Sequence, residues 1–151
     1  MIVYRLTRTK FAYDISGEGA RLNGGRWNHK GISVVYASES RSLALLEYTV
    51  NVNIDDIPRA LSIVAIEIPG DIHIVGVSEL PGNWRVSPAP GETKDYGTNL
   101  LRKVSQPVIK IPSAVILNEC NYLLNPLHRK SHQFKITSVE DFIFDVRIKT
   151  K

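Results

Sequence analysis

The chain has 151 residues, 43% hydrophobic and 23% charged, with a formal net charge of +4. That is enough for one domain with a real core, and no apolar run approaches the roughly 20 residues of a membrane helix. The lone cysteine, Cys120, excludes an internal disulfide, and Met1-Ile2-Val3-Tyr4-Arg5 lacks a signal peptide's layout, so a reducing cytoplasm is the expected compartment.

Taken in order, residues 1–7 read as a short strand. Residues 11–28 are glycine-rich and irregular, with Gly17, Gly19, Gly24 and Gly25. Residues 32–37 are apolar and rich in β-branched side chains, as in a buried strand. Ser38 can cap a helix over residues 39–50, with Glu39 in the favourable first turn. Leu43, Leu46 and Val50 fall on one face of it. Residues 60–68 and 71–77 read as strands. Pro81, Gly82, Pro88, Pro90 and Gly91 then mark a long loop, and such loops inside small domains are often functional. Residues 95–105 suit a helix. Residues 108–111 and 114–117 suit strands broken at Pro112-Ser113, and residues 132–136 and 142–148 suit two more. Strands outnumber helices without regular βαβ alternation, so the expected fold class is α+β in a single domain, residues 1–151.

The positive charge is scattered rather than gathered on one segment, and the Lys/Arg of residues 147–151 alternate with other residues. That pattern argues against a nucleic-acid surface. An anionic small ligand or an acidic protein partner accounts for the charge equally well.

Five positions carry candidate chemistry. Glu47 lies on the apolar stripe of its helix, four residues from Leu43 and three from Val50. A carboxylate turned inward costs several kcal/mol unless paired or hydrogen-bonded. Glu47 is therefore either an acid presented into a cleft or a structural ion-pair partner. Arg21 and Arg26 bracket Asn23-Gly24-Gly25. Guanidinium grips phosphate through two parallel bonds, and glycine lets backbone come close; a turn with solvated arginines fits the same residues. Tyr36 ends a strand just before the Glu47 helix, either as a core aromatic or as a ring facing a planar ligand. Ser113 follows Pro112 at a strand break, without the G-x-S-x-G elbow of a serine nucleophile. His128 and His132 are four apart, but in a segment that reads as loop into strand, so no metal site is expected. Cys120 reads as an inert thiol.

Five blocks then stand in order. They are Arg21-Leu22-Asn23-Gly24-Gly25-Arg26-Trp27-Asn28, Val35-Tyr36-Ala37-Ser38-Glu39, Leu43-Ala44-Leu45-Leu46-Glu47, Ile111-Pro112-Ser113-Ala114-Val115 and Asn121-Tyr122-Leu123-Leu124-Asn125-Pro126-Leu127-His128. Together they resemble the RES domain, the toxin half of bacterial RES–Xre toxin–antitoxin systems, over most of the chain. The resemblance implies a fold related to the ADP-ribosyltransferase toxins. It implies NAD as substrate, with no separate cofactor, and a helix-turn-helix (Xre-like) antitoxin that covers the site. It places the family's arginine, glutamate and serine at Arg26, Glu47 and Ser113, and adds Tyr36 to the catalytic set. Arg21, Arg26, Trp27, Asn28, Tyr36 and Asn121 become the expected NAD contacts. Relatives often carry a tryptophan after the glycine near residue 97, where this chain has Asp95-Tyr96-Gly97-Thr98. Whether water, phosphate or a protein takes the ADP-ribose stays open, as does a non-enzymatic binding role.

Overall fold

The computed structural model describes residues 1–150. Seven strands form one sheet: β1 (Ile2–Arg8), β2 (Val35–Ser38), β3 (Leu61–Glu67), β4 (Ile72–Ile74), β5 (Val108–Pro112), β6 (Cys120–Leu124) and β7 (Lys135–Phe142). Their order is β4-β5-β6-β2-β1-β3-β7, antiparallel throughout except for β4 beside β5. Three helices accompany them, α1 (Glu18–Asn23), α2 (Arg41–Asn51) and α3 (Gly91–Lys103). The fold class is the expected α+β.

Strand alternation divides the sheet into two faces. Val35 and Ala37 pair with Leu124 and Tyr122, and with Val3, Val64 and Val108 they build one core. Ala12 and Phe134, from the segments before α1 and before β7, close that side. Tyr36 and Ser38 pair with Leu123 and Asn121 on the opposite face. There Ile109, Ile111 and Leu123 pack under Leu101 of α3, while Leu45 and Tyr48 of α2 cover Leu6 and Ile63. Both long helices thus lie on the face that carries Asn121. The aliphatic floor beneath is buried, each such side chain contributing about 1.5–3 kcal/mol.

Several boundaries depart from the sequence expectations. The cap of α2 is Ser40, which accepts from Leu43 N at 3.0 Å, and not Ser38. Val50 is exposed, and Thr49 is buried instead, its hydroxyl donating to Leu45 O. α3 begins at Gly91 rather than near Asp95. Residues 114–117 are turn and bend, not strand; the strand lies just beyond, as β6. Residues 11–28, expected to be irregular, contain α1. One strand, β7, occupies the interval between the two expected C-terminal strands, and Val146–Ile148 is a 3-10 turn.

Candidate active site

Glu47 lies seven residues, or two helical turns, past the Ser40 cap and so on the same side of α2. Its Oε1 accepts two hydrogen bonds, from Ser113 Oγ and from Asn121 Nδ2, both at 2.7 Å. Asn121 comes from central strand β6, and Ser113 directly follows β5. Bonds to an ionised acceptor are about twice as strong as neutral ones, which compensates an inward carboxylate for lost water. Oε2 receives no side-chain or backbone donor among the described residues. One oxygen is therefore fixed and the other is open.

Ser113 is 1% exposed and fully committed. Its proton goes to Glu47, and its oxygen accepts from Val115 N at 3.0 Å and Ile116 N at 3.1 Å. A hydroxyl so placed orients a carboxylate and has no lone pair to spare for attack. Ser113→Ala should leave a folded protein in which Glu47 has lost one of its two donors. Any activity that depends on that carboxylate should then fall by roughly tenfold or more. Turnover of the folded variant checks this; wild-type turnover would remove Ser113 from the site.

The glycine-rich segment is built around Asn28. α1 ends on Gly24, whose φ of +71° suits glycine, and Gly25 and Asn28 form a bridge. A Cβ at Gly25 would stand 2.7 Å from Tyr36 Oη and 2.9 Å from Asn28 Oδ1, so this position needs glycine for an internal contact. Asn28 is fully buried. Its Nδ2 donates to the carbonyls of Ala20, His29 and Ile32, and its Oδ1 accepts from Tyr36 Oη at 2.7 Å. Tyr36 Oη in turn accepts from Trp27 N at 3.0 Å. Burial pushes the Tyr36 phenol well above its ordinary range, so it stays protonated and donating.

Arg26 reaches across to the loop between β4 and α3. Its Nη1 donates to Trp84 O and Val86 O, each at 2.8 Å. Among the described residues Nε and Nη2 have no hydrogen-bond partner, so one edge of the guanidinium remains available. Burial lowers the Arg26 pKa, and the charge of Glu47 and then the Tyr36 hydroxyl oppose that, which puts Arg26 and Glu47 within electrostatic reach. Arg85, between the two clamped carbonyls, donates to Ala114 O at 3.3 Å, beside Ser113.

The expected site residues thus divide. Glu47, Ser113 and Asn121 are joined by hydrogen bonds, Tyr36 lies on the same sheet face as Asn121, and Arg26 feels the charge of Glu47. Asn28 and Trp27 lie beneath as packing. Trp27 is 2% exposed, stacked on Trp84 at 6.2 Å between ring centroids and edge-on to Tyr96 at 6.2 Å. Gly97 of α3 seats against its backbone, where a Cβ would collide. Arg21 stands apart, with Nε and Nη2 on the two carboxylate oxygens of Glu18 at 2.7 and 2.6 Å. Ser38, expected as a helix cap, instead reaches the Glu47 carboxylate through Asn121. Its hydroxyl donates to Asn121 Oδ1 at 2.7 Å. The signal for it is the second serine two positions on, since Ser40 has the spacing to bond the third helical amide.

The RES domain family matches residues 2–145 of this chain. The chain is 39% identical over 153 aligned residues to a protein named Toxin Res from Yersinia enterocolitica serotype O:8 / biotype 1B, spanning 99% of this chain and 100% of that one. It is 34% identical over 145 residues to a protein named Prs ADP-ribosylating toxin from Sphingobium sp. strain YBL2, spanning 93% and 90%. Among solved structures, a chain of the M. tuberculosis MbcT–MbcA toxin–antitoxin complex superposes with a TM-score of 0.76. The match covers 94% of this chain and 84% of that one at 15% identity, a shared fold.

Proposed function

We propose, from the premise that the chain belongs to the RES domain family, that it is the toxin of a toxin–antitoxin pair and cleaves the nicotinamide–ribose bond of NAD. The observation that carries this reading is the Glu47 carboxylate, fixed through Oε1 and open at Oε2, within electrostatic reach of a half-free guanidinium.

The chemistry asks for that arrangement. In NAD the nicotinamide nitrogen is positively charged. When its bond to C1′ of the ribose breaks, the electron pair returns to the ring and nicotinamide leaves neutral, needing no proton. Positive charge builds instead on the ribose, as in other glycosidic cleavages. The site therefore needs a carboxylate rather than a carboxylic acid. Glu47 Oε2 supplies it, and preorganised charge of this kind is commonly the largest catalytic contribution. Water or phosphate then bonds to C1′, and a water nucleophile releases its proton to solvent. Nε and Nη2 of Arg26 take the pyrophosphate, and the Tyr36 ring positions the nicotinamide. Anchoring the remote phosphates converts binding energy into orientation at C1′. Asn121 and Ser113 act through Glu47, and Trp27 and Asn28 through the segment that carries Arg26. Arg21 contacts substrate only after leaving Glu18.

The test is nicotinamide release from NAD by the purified, partner-free chain, with and without phosphate. Release is expected, and phosphate dependence identifies the acceptor. No release from the folded chain, even with acceptor proteins added, overturns the reading. A second reading, transfer of ADP-ribose to a protein, is favoured by the name of the Sphingobium relative and uses the same residues. Label retained on an added protein distinguishes it.

The proposed partner is a helix-turn-helix antitoxin of the Xre type. Support comes from the M. tuberculosis neighbour, which was solved as a toxin–antitoxin complex, and from the net charge of +4, which suits an acidic partner. Among the described residues no helix is long and apolar enough to cross a membrane. On this reading the expected site of action is the cytoplasm.

A further inference from the structure

Ser38 is buried and touches no group on which the proposed reaction acts, yet it ends a chain of hydrogen bonds that reaches Glu47. Ser38 and Asn121 are directly paired across β2 and β6, so their side chains share a face and meet. Ser38 Oγ donates to Asn121 Oδ1 at 2.7 Å, and Asn121 Nδ2 donates to Glu47 Oε1 at 2.7 Å. An amide has two ends of opposite character. Turned over, it would set an acceptor against the carboxylate. The carboxylate, which only accepts, fixes that orientation, and the Ser38 hydroxyl donates to the Oδ1 left facing it and so holds the amide in place.

The turn around Ser38 fixes the same geometry in two further ways. Glu39 Oε1 accepts from Cys120 N at 2.8 Å, and Glu39 N donates to Cys120 O at 3.2 Å, tying the turn to the start of β6. Ser40 caps α2, the helix that carries Glu47. Three successive residues thus secure the amide's place, the strand's position and the helix's origin.

We infer that Ser38 is a positioning residue for Glu47, acting through the side chain of Asn121 in a serine–asparagine–glutamate relay. The relay helps to hold one carboxylate oxygen and leaves the other open. Its catalytic consequence rests on the reading of Glu47 as the reacting carboxylate.

The experiment is an NMR measurement of solvent exchange at the Asn121 side-chain amide, its signals identified by their loss in Asn121→Leu, together with nicotinamide release. In Ser38→Ala those amide protons should exchange about threefold or more faster, because the group is no longer held in place. Turnover should fall roughly tenfold with KM for NAD unchanged. Ser38→Thr, which keeps the hydroxyl, should restore both. Ser38→Cys, close in size and a weak donor, should behave like the alanine variant and decides the matter if alanine prevents folding. Unmoved exchange at the Asn121 amide in either variant overturns the relay. If the wild-type chain releases no nicotinamide, the NAD reading fails while the amide exchange still decides the relay.

Discussion

Glu47→Gln should keep the fold and the affinity for NAD while turnover falls by roughly two to three orders of magnitude. Glutamine matches glutamate in shape and retains an oxygen where Oε1 stands, so Ser113 and Asn121 keep their acceptor. What changes is the open end. A neutral amide nitrogen replaces Oε2, and the charge that would face the developing positive ribose is gone. Removing charge at that point acts on the transition state and leaves ground-state binding alone, so the loss should fall on kcat with KM little moved. The contrast with Ser113→Ala separates a reacting group from a supporting one, because that substitution leaves the charge in place. Steady-state nicotinamide release and calorimetric NAD binding, with circular dichroism as the check on folding, measure all three quantities. Full turnover by a folded Glu47→Gln protein would remove Glu47 from the chemistry.

The features legible in the sequence are those set by short-range periodicity. β1 and β3 are near their expected bounds because apolar residues alternate or run together over seven positions. The inward placement of Glu47 follows from its spacing to Leu43, since 3.6 residues per turn is a local rule. The parts that escaped depend on partners distant in the chain. Ser38 meets Asn121 across 83 residues, and Arg26 meets Trp84 across 58. Neither pairing leaves a mark in a window of ten. β6 begins Cys120-Asn121, with polar residues that disguise a central strand; Asn121 is polar there because it serves Glu47. α1 is hidden by glycines on both sides, Gly17 at its N-cap and Gly24 at its end, and tertiary contacts override the weak helix propensity of its six residues. α3 starts four residues early, at Gly91, for a related reason. Gly91 and Thr93 are poor helix formers, but Pro90 is fixed at the N-cap and Thr93 is fully buried. The glycines near Arg26 suggested a phosphate cradle. At Gly25 the space is taken by Tyr36 and Asn28, so the glycine serves the packing that aims Arg26.

That packing gives the largest expected effect on stability. Trp27→Ala should destabilise the fold by about 3–5 kcal/mol, the usual cost of removing a large buried aromatic. The Trp27 ring joins two elements: it stacks on Trp84 of the loop before α3 and meets Tyr96 of α3 edge-on. Its backbone receives Gly97, and the next residues continue the contact, with His29 N donating to Thr98 Oγ1 at 3.1 Å. Arg26 holds the same loop from the other side, through Trp84 O and Val86 O. Adjacent residues thus secure one loop by two means, Trp27 by burial and Arg26 by hydrogen bonds. Loss of the ring leaves a cavity under Trp84 and frees the carbonyls that orient Arg26. Activity should therefore fall further than the unfolded fraction alone explains, with KM rising as the phosphate anchor loosens. Urea unfolding followed by circular dichroism is the suitable measurement, since the chain has two tryptophans and the substitution removes one fluorophore. The midpoint should drop at an unchanged m-value. Trp27→Phe, which keeps an aromatic face against Trp84, should recover part of the loss. A change below about 1 kcal/mol in Trp27→Ala would mean that the loop and α3 are held independently of this ring. In that case Arg26 alone would have to account for the order of the loop.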